Sequence, residues 1–473
     1  DINAKLNFRL SDKDRIYVSG YWGRDLLFDE TRRQGDTVYT NINWGNATFT
    51  TRWNHIFSKK LFANTSLIYS QYDYKVTYAI DRDVSILFSG INDWNGKIDF
   101  DYYPHPAHKI KFGLNYVYHA FTPNSVRVQT TQLDTIPFRG RNRFVHEAAA
   151  YVNDEISINE KLGFNLGIRF PFFKDETTHY QGIEPRATVK YSLGSNQSIK
   201  GGYTLMNQYV HLVSSSVISL PFDVWIPSSE KVKPQVAHQF AVGYFQNFLQ
   251  DQYEGSIELY YKKMSNQIDY REGANFLFQD NIETELVFGN GWSYGAEFYL
   301  RKRAGRLTGW LGYTLSWTWR KFEDLNFGRP YHAKYDRRHD LSLVLVYKFN
   351  ENWSFSSVFV YGSGHWLTSP SGKIFVPTAG WVNNYTWFND FTARNDYRLK
   401  PYNRLDLGLR YEKKKTKYTS AWHIDFYNAY NRRNPFFVYL SSFRDPRANA
   451  TQIVARQLSL LPMIPSLSYV FKF

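Results

Sequence analysis

Apolar and polar side chains alternate along most of this chain with a period of two, as in a β-strand whose two faces meet different surroundings. Ile110, Phe112, Leu114, Tyr116 and Tyr118 fall on one face, against Lys111, Gly113, Asn115, Val117 and His119. Leu405, Leu407, Leu409 and Tyr411 likewise oppose Arg404, Asp406, Gly408, Arg410 and Glu412, and Leu311, Tyr313, Leu315, Trp317 and Trp319 form a third row. At the end of the chain Leu467, Tyr469, Phe471 and Phe473 face one way, and Ser468, Val470 and Lys472 the other. These segments run about 10 to 20 residues, roughly twice or more the length of strands in a soluble sandwich. A greasy edge strand is tolerated when it closes a barrel and its apolar face meets lipid.

Short polar turns punctuate the segments at 11–15, 58–60, 103–106, 159–161, 194–197, 250–252, 301–306, 349–352 and 413–416. Longer irregular connections near 29–40, 126–142, 214–235, 271–283, 367–399 and 436–454 alternate with them, joined by modest ones at 80–84 and 175–182. The pattern predicts an all-β, transmembrane, antiparallel up-and-down β-barrel of about 19 strands. Single-chain barrels of this kind have even strand numbers, short periplasmic turns and long extracellular loops. The first segment, Ile2–Leu10, and the last both run toward the short-turn side. Three further strands would complete a barrel of about 22, the size of plugged outer-membrane transporters. On this reading residues 1–473 are the C-terminal part of a barrel whose first strands lie outside the sequence, and the C-terminus is periplasmic. The chain also opens inside a strand-like pattern, with no initiator Met and no signal peptide.

Composition agrees with a barrel. Aromatic residues make up 19% of the chain, with 37 Tyr, 37 Phe and 14 Trp, while 21% of residues are charged. An apolar exterior, a polar interior and two aromatic girdles need that mixture. No stretch approaches the roughly 18 consecutive apolar residues of a spanning helix. Cys is absent, which excludes disulfides and thiolate metal sites. The formal charge of +14 raises a nucleic-acid reading, but the basic residues are scattered rather than gathered in a stripe. Lumen lining, turns and contact with anionic outer-membrane lipid and lipopolysaccharide account for it without a nucleic-acid partner.

Catalytic patterns are missing. Gly362-Ser-Gly364 lacks the frame of a nucleophile elbow, and Gly289-Asn-Gly291 has Tyr294 where a dinucleotide fingerprint needs Gly. None of the 12 His residues has metal-ligand spacing. No enzyme activity, cofactor or metal is expected. The loops are instead rich in aromatics with Arg nearby, which suits ligand recognition by stacking and hydrogen bonding. The candidate substrate contacts are Tyr209, His211, Trp225, Trp366, Trp381, Trp387, Arg394 and Arg398, and Arg404, Asp406 and Arg410 are the candidate lumen or plug-facing residues. Packing of loop against loop is the competing explanation for any one of the aromatics.

Several segments resemble the barrel of TonB-dependent outer-membrane receptors. They are Glu147-Ala-Ala-Ala-Tyr-Val-Asn-Asp-Glu155 followed by Glu160–Arg169, then Glu184-Pro-Arg186 with Ser198–Tyr203 and Gln208. Gly291–Glu297, Tyr335-Asp-Arg-Arg-His-Asp340, Tyr361-Gly-Ser-Gly364, Tyr402–Leu407 and Tyr427–Pro435 follow in the same order. The set is similar to the Bacteroidetes-type branch. The resemblance implies an importer of a scarce nutrient (siderophore, glycan, peptide or similar), energised by TonB and gated by an N-terminal plug that this sequence lacks. The alternative is a passive porin or a structural barrel in a surface assembly with a partner lipoprotein or an adhesin.

Overall fold

A computed structural model describes the chain apart from residues 34–35, 82, 130–135, 140–141, 215–222, 275–280, 370–371, 378–384, 446–449 and 460. Among the described residues one antiparallel sheet holds 22 strand segments. Three of these, Ile136–Arg139, His179–Gln181 and Tyr331–His332, are short returns at strand tips, which leaves nineteen principal strands. Each principal strand pairs with its successor in the chain, from Ile2–Arg9 on Asp14–Arg33 to Thr419–Tyr427 on Ile464–Lys472. The meander and the count of about 19 are as the alternation predicts. Pairing in strict sequence order needs nothing but tight turns, and all nine expected turns are present.

Strand length varies around the sheet. Asp14–Arg33, Asp36–Ser58, Leu61–Ile80, Asp83–His105 and His108–Gln129 run 20 to 23 residues, whereas His339–Lys348 and Trp353–Gly362 run 10. A tilted strand needs about 9–11 residues to cross a bilayer, so the first group rises well past it. This corrects the loop expected near 29–40: Arg33 pairs with Asp36, and the hairpin stays in register down to Asp14 opposite His55. Asp29 to Arg33, Asp36 and Thr37 are polar at consecutive positions, so composition alone reads this stretch as loop. A further long connection lies at 323–338, within which Tyr331 and His332 turn back to pair with Arg320 and Trp319.

The two faces of the sheet differ as predicted. Phe112, Leu114 and Tyr116 are exposed on the outside. The opposite face carries a polar network: Lys111 on Asp101 at 3.3 Å, His119 on Asp93 at 2.7 Å, Asn95 on Asn115 at 2.9 Å, and Tyr151 donating to Asp99. In the same network Arg169 bridges Glu147 at 3.0 Å and Glu184 at 2.9 Å, while the Asn207 backbone N–H also donates to Glu184. Ile2–Arg9 and Ile464–Lys472 each have a single strand neighbour and are exposed along their length.

Candidate functional site at the mouth of the barrel

Connections at the long-loop end fold inward. Val210–Val213 and Val224–Pro227 form a two-stranded hairpin with Val213 opposite Val224. One side of it, Val213, Val224 and Ile226 with Val232, packs on Tyr270 and Leu286. The other side, Tyr209, Val210 and Trp225, packs on Phe121, Val145 and Phe173. A segment that is apolar on both faces is satisfied only between two walls, and these walls come from well-separated strands of the sheet. The hairpin therefore spans the mouth. Each buried Val or Ile contributes about 1.5–3 kcal/mol, against a backbone ordering cost of about 1–2 kcal/mol per residue. Closure is thus close to balance.

His211 lies inside this hairpin, fully buried, with Nε2 2.9 Å from Ser228 Oγ and Nδ1 unpartnered among the described residues. Burial pushes its imidazole down to about 4. In the connection 363–401, burial first and then Arg337 and Lys334 also push His365 down to about 4. Values below the ordinary 6.5 mean that the opened loops take up protons before the closed ones. Closure is fully favoured above pH 6.5 and weakens as pH falls from there toward 4. Acidifying from pH 7.5 to 4.5 should lower the amide protection factors of Val210–Val213 and Val224–Pro227, taken against the intrinsic rate at each pH, by tenfold or more, on the order expected for His211 alone, and His211→Gln should blunt the response. Unchanged protection factors would show that His211 does not hold the hairpin.

A second cluster centres on Asp336, which is 1% exposed. Its carboxylate accepts from Thr318 N at 2.7 Å, Trp366 Nε1 at 3.0 Å and Arg398 Nη2 at 3.3 Å, with Arg338 Nη2 at 3.5 Å. Rings stack beside it: Trp319 on His332 with centroids 4.0 Å apart, His332 on Trp366 at 4.3 Å, and the Arg398 guanidinium 4.5 Å above Trp366. Arg394, 6% exposed, donates to Asp269 at 2.5 Å, and its backbone N–H donates to Asn326 at 3.1 Å. The connections 323–338 and 363–401 are thereby tied to each other and to the sheet. Gly364 allows the closest approach, since a Cβ there would collide with the Leu399 carbonyl.

The sequence-derived candidates divide accordingly. Tyr209 is buried and stacked on Phe173 at 5.2 Å; Trp225 packs in the same cluster. Trp366, Arg394 and Arg398 join loop to wall. Trp381 lies outside the described residues; the backbone of Trp387 pairs with Phe375 in the hairpin Gly372–Pro377 and Tyr385–Asp390, and its side chain is outside them. Arg404 pairs with Asp406 at 3.0 Å and donates to Tyr427 at 2.8 Å, Asp406 accepts from Asn428 N, and Arg410 pairs with Glu412. Sequence reasoning missed Phe327, which is 78% exposed in a left-handed conformation at φ 57°. A bulky residue held there stores strain of about 1–3 kcal/mol. Arg394 and the Asn326 side chain hold its loop in place. The bracketing Asn326 and Gly328, both suited to positive φ, were the available signal.

The model of the TonB-dependent receptor β-barrel family (TonB dependent receptor-like, beta-barrel) matches residues 2–432. The chain belongs to this family. Its receptor barrel is an outer-membrane transport fold of bacteria, and the match bears out the resemblance at the level of the family and the barrel with it. The ferric yersiniabactin uptake receptor of Yersinia pestis is similar, with a TM-score of 0.69 and 11% identity over 100% of this chain and 70% of that one. The ferric preacinetobactin receptor of Acinetobacter baumannii superposes with a TM-score of 0.62 and 12% identity over 99% and 71%. The ferric-catecholate import receptor of K12 E. coli does so with 0.57 and 12% over 99% and 78%. At these identities the likeness establishes the fold of the receptor barrel. A sequence comparison with curated proteins gives no match.

Proposed function

We propose that this receptor barrel imports a scarce nutrient through a plugged lumen, energised by TonB, with its long loops outside the cell and its short turns in the periplasm. The observation that carries the reading is the mouth: the hairpin 210–227 lies across it and the Asp336 cluster anchors two further connections over the wall. A passive pore gains nothing from that closure, whereas a receptor that opens on demand needs it. The polar inner wall suits a docked plug, and the single-partnered strands Ile2–Arg9 and Ile464–Lys472 leave places for three more strands in a barrel of about 22. Phe327 and Tyr335 are exposed beside Arg329 and Lys334, and Tyr397 is exposed in the connection 363–401; these are the proposed ligand contacts, and Trp381 and Trp387 remain candidates on the sequence alone. The ligand class supported by the solved relatives is a ferric chelate, with a glycan or peptide as the other outcomes.

Growth of a deletion strain on defined iron and carbon sources, with and without TonB, tests this. Growth on one source should be lost in both strains. Phe327→Ala, and separately Trp381→Ala with Trp387→Ala, should each weaken ligand binding about tenfold, the worth of one stacked aromatic contact, while the barrel still assembles. Uptake that persists without TonB, or a freely conducting pore formed by the intact protein, would overturn the reading.

A further inference from the structure

We propose that the inner wall from Glu184 to Phe322 carries an anion-binding belt, and that the imported nutrient is a polyanion seated on Arg186, Lys262 and Arg320. The face is fixed by register. Glu184 lies opposite Arg169, and Arg169 opposite Tyr151, which donates to Asp99 in the inner-wall network. From Arg186, two residues on, one rung runs through Thr204, Gln239, Lys262, Ser293 and Thr318, each facing the next. Arg320 stands two residues beyond Thr318 and lies across Gly291, where a Cβ would meet its Nη1 at 2.7 Å. Lys262 is the tenth residue of Tyr253–Tyr270 and Arg320 the fourteenth of Leu307–Phe322. The belt is therefore in the half of the wall next to the long loops.

These cations lack the partners found elsewhere on the same face, where Lys97, Lys111 and His119 each engage an aspartate. Among the described residues Arg186 and Lys262 take part in no hydrogen bond or ion pair, and Arg320 donates only to Gln267 and the Met264 sulfur. Asp269, the carboxylate that acts on Arg320, is taken up by Arg394 at 2.5 Å and by the Tyr331 hydroxyl at 2.9 Å. Lys262 and Arg320 instead act on each other as like charges. A wall of one sign focuses its field on a ligand of the other, and Thr204, Gln239 and Ser293 place neutral hydrogen-bonding groups between the charges. Arg186 and Lys262 are three strand spacings apart, about 14 Å, so a ligand with at least two negative groups bridges them. A docked protein domain presents both signs. The wall four residues nearer the short turns answers with both, Lys190 opposite Lys200 and Glu258 opposite Glu297, whereas the belt is of one sign.

This inference rests on the reading of the chain as an importer and names the charge of its cargo. Equilibrium binding of two pairs of probes to the detergent-purified full protein tests it. The pairs are iron(III) citrate against a neutral iron(III) trihydroxamate, and an oligogalacturonate against a neutral glucan. The charged member of one pair should bind and its neutral counterpart should not. Lys262→Gln and Arg320→Gln should each weaken that binding tenfold or more, the worth of one charge-assisted hydrogen bond, with the heat-modifiable barrel intact. Lys262→Arg should keep it, since the charge remains. A neutral probe bound as tightly as its charged counterpart, no binding of either charged probe, or binding unchanged in the Lys262→Gln, Arg320→Gln double variant would overturn the proposal. TonB-dependent growth on a neutral nutrient would sink the belt and leave the import reading standing, whereas growth that ignores TonB would remove that reading itself.

Discussion

Replacing Asp336 with Ala should free the connections 323–338 and 363–401 from the wall while leaving the barrel assembled. The carboxylate is buried and draws donors from Thr318, Trp366 and Arg398, with Arg338 close by. Its removal leaves Arg338 and Arg398 facing each other without the anion that holds them together. Breaking a buried pair by deleting one partner costs about 3–5 kcal/mol, more than loops of this kind hold in reserve. Limited proteolysis should cut within 363–401 at least tenfold faster, and Asp336→Asn should fall between the two, since an amide oxygen still accepts one hydrogen bond. Digestion identical to wild type would show that the stacked Trp319, His332 and Trp366 rings hold the loops unaided.

The second large effect is in the sheet itself. Arg169→Met leaves the Glu147 and Glu184 side chains, 18% and 4% exposed, without their shared cation. A loss of about 3–5 kcal/mol is expected, read as a lower urea midpoint for loss of the heat-modifiable barrel. Glu184 keeps its bond from Asn207 N, so Glu147 carries the larger share of the loss. Adding Glu147→Gln and Glu184→Gln to Arg169→Met should restore most of the stability, because no unpaired charge then remains. Additive losses across the three substitutions would show that Arg169 acts through its packing and not its charge.

The barrel was legible because a period of two survives any surface chemistry that distinguishes lipid from water. Leu114 exposed and Asn115 hydrogen-bonded follow from that alternation alone. Legibility stops where the two surroundings become one. In 29–40 polar residues fill consecutive positions, and the strand loses its alternating signature. The loop aromatics fail differently: Trp366 and Phe327 are both large apolar side chains in polar stretches, yet one packs on His332 and the other is exposed. What separates them is partners distant in sequence, such as Asp269, 125 residues from Arg394. No local pattern encodes those. The cluster 335–340 stood out as a run of charges, but the burial of Asp336 at its centre came only with the loops that cover it.

The unequal strands make the entrance lopsided. Strands of 20 to 23 residues spend about 10 of them on the bilayer, so their free ends stand roughly 25 Å above it, while the ten-residue strands at His339–Lys348 and Trp353–Gly362 end close to its surface. A bulky particle approaching head-on strikes the high parapet before it touches any loop. A slim molecule drifting in over the low side meets Phe327 and its neighbours first. With the long-loop end facing outward, as proposed, trimming the hairpin tip around Arg33 and Asp36 is expected to widen the range of sizes that reach the mouth.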